Sequence, residues 1–271
     1  MRPEGYIPGI DPMEFLFQAR ERHLVLEAQV AAVDYPDNIP TWILIFPGLD
    51  GVKGYVPASE TGLPSRELVR RFVGQTVRVK VKGIDRANGI VACSRQEAVA
   101  DAAAKLLPEL AANPDTVLDA VVRAVLPRED GASPRLLVDV GGGVLAEIPY
   151  AQARVWLSRP LGAQYAPGQR VKVKITRVDP QTGLVDASIR KALPDPWETA
   201  DFRRGQFVSG TVARTDGERV FVEPDMAPGI LGIAPPPIEG EVRRGDRVTC
   251  VVASFDREKR RLRLRLRGRL A

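Results

Sequence analysis

The sequence predicts an all-β chain of three tandem five-stranded barrels, with a short N-terminal helix and a helical linker between the first two barrels. Three observations lead to this fold class. One pattern of alternating strands and glycine-rich turns recurs three times along the chain. Each copy contains several short strands of period two, which favours small barrels over open sheets. Each copy also spans roughly 70 residues, the size of a small domain with a single core.

The phrase that closes each copy shows the repetition most clearly. It consists of a glycine, an alternating apolar strand and an aspartate, and it runs from Gly74 to Asp85, from Gly168 to Asp179 and from Gly245 to Asp256. The interval from glycine to aspartate is the same in all three copies, which unrelated strands would not preserve. A turn and a final strand follow each aspartate, and we expect these strands at 90–94, 184–188 and 261–265.

A short helix is predicted before the first copy. Asp11 is followed by a proline and, three residues on, by a glutamate, which is the residue order of a helix N-terminus. Met13, Leu16 and Phe17 are spaced to share one face of that helix. We expect this apolar face to pack on the first barrel.

Two proline-containing segments separate the copies. An alanine-rich stretch at 97–107 predicts a helix that is broken at Pro108, and Pro194 and Pro196 mark the second junction. The predicted organisation is an N-terminal extension with a short helix (1–22), a first barrel (23–97), a helical linker (98–114), a second barrel (115–194) and a third barrel with a basic C-terminus (195–271).

Composition restricts the functional class only mildly. The net charge is +5 and the pI is near 9.4, which permits nucleic acid as a partner without requiring it. Cys93 and Cys250 lie in separate apolar, strand-like runs, so we predict buried thiols in a reducing compartment. No apolar stretch has the length of a membrane span, and the N-terminus lacks a secretory pattern. We expect a cytoplasmic protein without a membrane partner.

No arrangement of residues in the sequence indicates catalysis, a metal or a cofactor. His23 is the only histidine and lies among charged residues, so it has no partners at metal-ligand spacing. The three glycines at 141–143 are not followed by the lysine of a phosphate-binding loop. They are better interpreted as a turn between strands, where glycine tolerates positive φ. The sequence therefore predicts a protein that is not an enzyme.

Several phrases resemble the RNA-binding domain first described in ribosomal protein S-one. They are the glycine-initiated strand at 54–60, the Asp-Pro-Trp-Glu phrase at 195–198 with the strand at 205–212, and the paired strands at 245–248 and 261–264. The resemblance covers nearly the whole chain, from Leu24 to Leu270. It implies an OB-fold, whose exposed strand face binds single strands by stacking bases on aromatic side chains beside a positive groove.

The third copy departs least from this family. The resemblance implies that Phe221 is a base-stacking aromatic and that Asp256 and Arg261 contact RNA. Alternation in the last strand directs its leucines inward and its arginines outward in one row, which comprises Arg261, Arg263, Arg265 and Arg267. Like charges so close together favour an anionic partner such as RNA. Alternatively, these arginines pair with acids elsewhere, or their charge protects a sheet edge.

The first and second copies carry basic rows on their fourth strands instead. These candidate RNA-binding residues are Arg78, Lys80 and Lys82 in the first copy and Arg170, Lys172 and Lys174 in the second. Tyr55 and Tyr150 are their candidate stacking aromatics, and packing is an equally good interpretation of Tyr150. Ile90 and Leu184 replace the family's arginine. We therefore hypothesise that these two copies dock or assist while the third grips RNA.

Three functions remain open from the sequence. The first is non-enzymatic binding of single-stranded RNA, with the ribosome or in RNA handling. The second is a protein-interaction scaffold, which would gain support if Phe221, Tyr55 and Tyr150 all proved buried. Single-stranded DNA binding is a third function, because OB-folds bind both nucleic acids. The sequence also leaves open whether Trp42 and Phe46, two residues of one alternating row, face the core or the solvent.

Overall fold

The chain forms three closed five-stranded barrels in a computed structural model that describes residues 11–113, 115–128, 131, 133–179, 182–237 and 240–269. The first barrel contains β1 (Leu26–Asp34), β2 (Thr41–Ile45), β3 (Lys53–Pro57), β4 (Thr76–Asp85) and β5 (Ile90–Ser94). The second contains β6 (Val117–Leu126), β7 (Arg135–Asp139), β8 (Leu145–Pro149), β9 (Arg170–Val178) and β10 (Val185–Ser188). The third contains β11 (Phe207–Thr215), β12 (Val220–Pro224), β13 (Gly232–Ala234), β14 (Arg247–Asp256) and β15 (Arg261–Arg269).

All three barrels have the same topology. The first strand pairs antiparallel with the second and the fourth strand, and the third strand pairs parallel with the fifth. Each first strand also has a register shift near its middle, which bends it around the barrel. The shared topology confirms the all-β, OB-like fold and the threefold repeat. Five-strand closure removes the free sheet edges that open sheets of this size would expose.

Each barrel encloses its own apolar core, built from alternate residues of its strands. Trp42 and Phe46 are fully buried in the first core, so their row faces inward. The Trp42 indole N–H donates a 2.7 Å hydrogen bond to the Val69 carbonyl, which satisfies its only polar group. Cys93 and Cys250 are buried as predicted, and burial raises the pKa of their thiols to about 12 and about 11.

The N-terminal helix α1 (Pro12–Glu21) begins as predicted, because the Asp11 carboxylate accepts a hydrogen bond from the Met13 amide. Its predicted apolar face was partly wrong. Phe15 and Leu16 are buried on the first barrel, whereas Phe17 is only half-buried. The Phe17 ring lies instead beneath the guanidinium groups of Arg20 and Arg86, at 4.9 and 5.3 Å. This stacking keeps the ring partly out of water without placing it in the core.

The helical linker is a single helix, α3 (Arg95–Ala112), that continues through Pro108. The predicted break at this proline was wrong. A proline removes one helical hydrogen bond, but Leu107 and Leu110 on either side of it are buried in the core of the second barrel. Their burial holds the helix together across the missing bond. Within the described residues the other α-helices are short, namely α2 (Leu68–Arg71), α4 (Tyr150–Ala153), α5 (Leu161–Gln164) and α6 (Pro196–Thr199), and three 3₁₀ turns lie at Pro36–Asn38, Ala58–Glu60 and Arg190–Ala192.

The first and second barrels share an apolar junction. Leu68 of α2 is buried in one cluster with Ala124, Leu126 and Leu137, which lie on the outer surface of the second barrel. Arg95 is also buried here and donates to the Thr61 carbonyl of the first barrel (2.8 Å) and to the Gly143 carbonyl of the second (2.6 Å). Burial lowers the pKa of Arg95 to about 10, against the opposing attraction of Asp139.

The glycine turn at 141–143 makes polar contacts at this junction. Asp139 accepts hydrogen bonds from the amides of Gly141 (2.9 Å) and Gly143 (3.1 Å) and is paired with Arg123 at 2.8 Å. All three glycines at 141–143 have positive φ, which confirms the predicted turn. A Cβ on Gly142 would lie 2.4 Å from the Cβ of Ala102, so the turn packs directly on α3.

One buried carboxylate connects the second and third barrels. Glu223 of β12 is fully buried and accepts hydrogen bonds from the Leu157 amide (2.8 Å) and from the amide and hydroxyl of Ser158 (2.7 and 2.6 Å). It also accepts from the Gly229 amide of its own barrel at 2.8 Å. Four donors therefore satisfy the two carboxylate oxygens, which compensates for removing the charge from water.

Candidate nucleic-acid interface

An arginine row lies on the outer face of β15. Arg261, Arg263, Arg265 and Arg267 are all exposed, while Leu262 and Leu264 between them are buried in the third core. Within the described part of the chain, none of the four forms an ion pair, although Arg269 at the strand end pairs with Asp246 at 2.8 Å. The four arginines therefore present positive charge that no described acidic side chain neutralises, on a strand of the closed barrel.

The arginine row is part of a wider band that crosses four strands. Strand register places Arg214 of β11 beside Phe221 of β12, Phe221 beside Ile233 of β13, and Ile233 beside Arg263 of β15. We call these four residues the cross-strand row. Neighbouring strands lie about 4.8 Å apart, so the row spans roughly 14 Å of continuous surface. Its two guanidinium groups suit phosphates, and its aromatic and aliphatic side chains suit bases.

Phe221 lies within this row, but its ring is covered. Arg214 is centred 4.0 Å above the ring and Arg219 lies 5.8 Å from it, so that only 7% of the residue is exposed. A base approaching this position meets the guanidinium plane of Arg214 first. Guanidinium planes stack on bases as aromatic rings do, so Arg214 and Phe221 form one layered platform.

Asp256 and Arg261 face each other across the β14–β15 hairpin. The Asp256 carboxylate accepts a hydrogen bond from the Lys259 amide at 2.9 Å, which fixes the hairpin turn. The other carboxylate oxygen lies 3.8 Å from the Lys259 ammonium group. Asp256 thus shapes the turn from which the arginine row begins, and its second oxygen remains accessible at the surface.

The basic row of the first barrel is neutralised. Its three members each have acidic partners: Arg78 pairs with Glu27, Lys80 with Asp101 of α3, and Lys82 with both Glu60 and Glu97. The pKa of Lys82 is raised chiefly by its hydrogen bond to Glu60, and a hydrogen bond from Ser94, followed by that from Lys82, lowers the pKa of Glu60. This arrangement leaves little free positive charge for phosphates.

The first barrel's equivalent of the cross-strand row carries no charge. Register places Ala32, Ile43, Tyr55 and Ala92 at the four corresponding positions. Tyr55 is half-buried, with part of its ring accessible. The surface is therefore apolar with one tyrosine, which suits protein docking better than phosphate binding.

The second barrel's equivalent row is acidic and partly covered. Ala124, Leu137, Glu147 and Asp186 occupy the corresponding positions. Leu137 is buried in the junction with the first barrel, and Glu147 pairs with Arg135 at 3.2 Å, so this row offers phosphates no free cation. The first barrel therefore covers the end of this row that Ala124 and Leu137 form.

The remaining candidates of the second barrel lie on β9 and at the start of α4. Lys172 pairs with Asp119 at 3.2 Å and Lys174 with Asp115 at 3.1 Å, whereas Arg170 is exposed near the junction. Tyr150 begins α4 and is half-buried, with Arg154 at 5.3 Å above its ring. Phe221 alone among the three candidate aromatics is fully buried, so the condition that would favour the scaffold function is not met.

Sequence reasoning missed three residues of the third barrel's surface, namely Arg214, Ile233 and Phe207. Phe207 is 69% exposed at the start of β11, yet alternation with the buried Val208 was a signal that it points outward. Arg214 follows a register shift in β11, so its position beside Phe221 could not be obtained from simple alternation.

Among the described residues, no group of three or more His, Cys, Asp or Glu side chains is placed to hold a metal ion. Within the same residues, no helix is both long and apolar enough to cross a bilayer.

No family model matches the chain. It is 31% identical over 237 residues to the small ribosomal subunit protein bS1 of Staphylococcus aureus (strain COL), covering 81% of this chain and 57% of that protein. It is 32% identical over 191 residues to the protein of the same name from Staphylococcus saprophyticus, covering 68% and 45%. The chain thus spans about half the length of these curated relatives.

Solved structures give weaker matches. A multidomain protein with nucleic acid binding domains from Streptococcus pneumoniae shares 16% identity over 92% of this chain and 74% of its own, with a TM-score of 0.26. The apo form of Mycoplasma genitalium RNase R shares 11% identity over 56% of this chain and 21% of its own, with a TM-score of 0.24. Both scores lie below 0.5, so neither structure bears on the function.

Proposed function

The chain is a homologue of the small ribosomal subunit protein bS1 built from three tandem S-one type barrels, and from this premise we propose that it binds single-stranded RNA without catalysis, in association with the ribosome or in RNA handling. The third barrel is the RNA grip in this proposal. The observation that carries it is the arginine row of β15, which is exposed and makes no ion pair among the described residues.

Comparison of the three barrels supports this assignment. The corresponding surface is apolar in the first barrel and acidic and partly covered in the second. Only in the third does it combine free guanidinium groups with an aromatic ring. Because the backbone topology is the same in all three barrels, their surfaces differ only in the side chains that they carry. We therefore expect the RNA affinity of each barrel to depend on those side chains.

The test is an anisotropy titration of a labelled, unstructured RNA at several salt concentrations. The variant Arg261→Ala/Arg263→Ala/Arg265→Ala removes three potential phosphate contacts. Each contact to a single strand contributes about 0.7 to the slope of log affinity against log salt, so the slope should become shallower by about 2. We expect most of the affinity to be lost with it.

The matched control is Arg170→Ala/Lys172→Ala/Lys174→Ala, which removes the same three charges from a strand of the second barrel. Two of these cations already have acidic partners, so we expect nearly unchanged affinity and slope. Equal losses in both variants would show that overall charge, not the arginine row, binds RNA. A single-stranded DNA of the same base sequence, titrated in parallel, distinguishes the two nucleic acids.

A docking role for the first barrel accompanies this proposal, because its surface row of Ile43 and Tyr55 is apolar. Co-sedimentation with small ribosomal subunits separates the two roles. The arginine variant should lose binding to free RNA yet still sediment with the subunits. Loss of both activities together would place docking on the third barrel as well.

A further inference from the structure

The final strand of the third barrel is longer than its counterparts. β5 and β10 end at Ser94 and Ser188, where helical segments begin, whereas β15 continues to Arg269 and pairs with β14 as far as Val248. In the first barrel, α3 crosses the outer side of the fourth strand and supplies Asp101 to Lys80. In the third barrel, the outer side formed by β11, β14 and β15 carries no such helix within the described residues.

A second row of side chains lies on this uncovered side. Strand register places Phe207 of β11 beside Val251 of β14, and Val251 beside Arg265 of β15. We call these three residues the side row. Phe207 is the most exposed of the large apolar residues in the described part of the chain, at 69%. At the equivalent positions of the second barrel, Val117 lies beside Lys174, and Lys174 lies beside the buried Ser188.

Positive charge lies both in the turn before β11 and on β15. Arg203 and Arg204 are exposed in the turn directly before β11, and Arg265 lies two strands away, roughly 10 Å across the sheet. No ion pair involves any of these three arginines among the residues described. An exposed aromatic ring beside a positively charged surface is the combination that binds the bases and phosphates of a single strand.

The side row is continuous with the cross-strand row. Arg263 and Arg265 are successive outward residues of β15, so a strand bound along the first row reaches the second by passing over β15. We propose that the RNA path continues around β15 onto the outer side of β11 and β14, where Phe207 stacks on a base beyond those held by the cross-strand row. This proposal rests on the RNA binding proposed above and adds a binding position to it.

The test uses the full chain and two labelled oligouridylates, one of roughly 4 and one of roughly 16 nucleotides, the limits of the site size of a single OB barrel. Phe207→Ala should weaken binding of the longer RNA by roughly 5- to 150-fold, the effect of losing one stacked base. It should leave the shorter RNA unchanged, because that RNA fits on the cross-strand row. Phe207 is exposed, so its replacement should not disturb folding.

Three further variants identify the kind of contact. Phe207→Trp should retain or improve affinity for the longer RNA, and Phe207→Leu should resemble the alanine variant, because leucine has no π-face. Val117→Ala, the matched control at the same position of the second barrel, should have no effect. A leucine variant that binds like the wild type would overturn stacking, and an alanine variant that does so would overturn the extended path.

The arginine variant, included in the same series, keeps the two proposals distinguishable. If the arginine variant loses affinity while Phe207→Ala does not, RNA binding by the third barrel stands and the extended path is refuted. If the wild type shows no saturable binding to either RNA, both proposals are refuted. The expected result is loss of affinity in the arginine variant and, for the longer RNA alone, in Phe207→Ala and Phe207→Leu.

Discussion

Replacing Glu223 should loosen the junction between the second and third barrels. Its two oxygens accept four hydrogen bonds, three from backbone amides and one from a hydroxyl, and the residue is fully buried. Glu223→Ala leaves four donors without this acceptor, of which the two of Ser158 are buried and those of Leu157 and Gly229 are half-buried, and each unsatisfied buried donor costs about 1–3 kcal/mol. Removing a buried charge returns several kcal/mol of desolvation. We therefore expect a net destabilisation of about 2–4 kcal/mol.

Glu223→Gln should have a smaller effect that follows from the same geometry. Its carbonyl oxygen can take the place of Oε1 and keep the bonds from the Leu157 and Gly229 amides. Its NH₂ group then occupies the place of Oε2, where the Ser158 hydroxyl can rotate to accept but the Ser158 amide cannot. The Ser158 amide N–H and the second N–H of the glutamine are left unpaired, while the loss of a buried charge offsets part of this cost, so we expect a loss of about 1–3 kcal/mol.

Native-state hydrogen exchange measures this directly. The amides of Leu157, Ser158 and Gly229 should be protected in the wild type, the Ser158 amide should lose protection most in the glutamine variant, and all three should lose it in the alanine variant. Glu218→Ala is the control, since Glu218 is an exposed glutamate of the same barrel. Wild-type protection of these amides in Glu223→Ala, or greater loss in glutamine than in alanine, would refute the assignment of Glu223 as the link between the barrels.

Two further predictions concern stability and thiol reactivity. Gly142→Ala should lower the free energy of unfolding by about 1–3 kcal/mol, because its Cβ would lie 2.4 Å from that of Ala102 at a φ of +63°. Chemical denaturation measures this, and the control Gly131→Ala, which has a positive φ but open space around it, should cost less. Equal denaturation midpoints for the two variants would contradict the clash. Cys93 and Cys250 should resist alkylation at pH 8 in the native protein and react on unfolding, because their raised pKa values, about 12 and about 11, leave almost no thiolate at that pH. Mass spectrometry counts the alkylated thiols, and rapid labelling of the native protein would contradict this prediction.

The fold was largely predictable because its determinants are local and repeated. Each barrel follows from period-two strands and from turns at fixed intervals, and three copies in register make chance agreement improbable. The α3 helix past Pro108 was not predictable in the same way. A proline signals a helix end locally, and only the burial of Leu107 and Leu110 on another barrel overrides that signal.

The candidate site was predictable only in part. Alternation sufficed to place the arginine row outward, because β15 is regular from Arg261 to Arg265. The acidic partners of Lys80 and Lys82 come from α3 and from the segment after β3, which alternation within β4 cannot reveal. The coverage of Leu137 by the first barrel likewise depends on how two barrels meet. Which basic rows remain free is therefore a property of tertiary structure.

One position decides whether the side of a barrel becomes a junction or a free surface. Ser94, Ser188 and Arg265 occupy equivalent sites on the three final strands, each opposite the same position of the fourth strand. The two serines are fully buried, and their hydroxyls accept hydrogen bonds from the amides of Glu97 in α3 (3.1 Å) and of Lys191 in the 3₁₀ turn Arg190–Ala192 (3.0 Å). Arginine has no hydroxyl that could accept such a bond from the chain that follows it. The strand therefore continues, and its side chains remain at the surface, where an anionic partner can reach them.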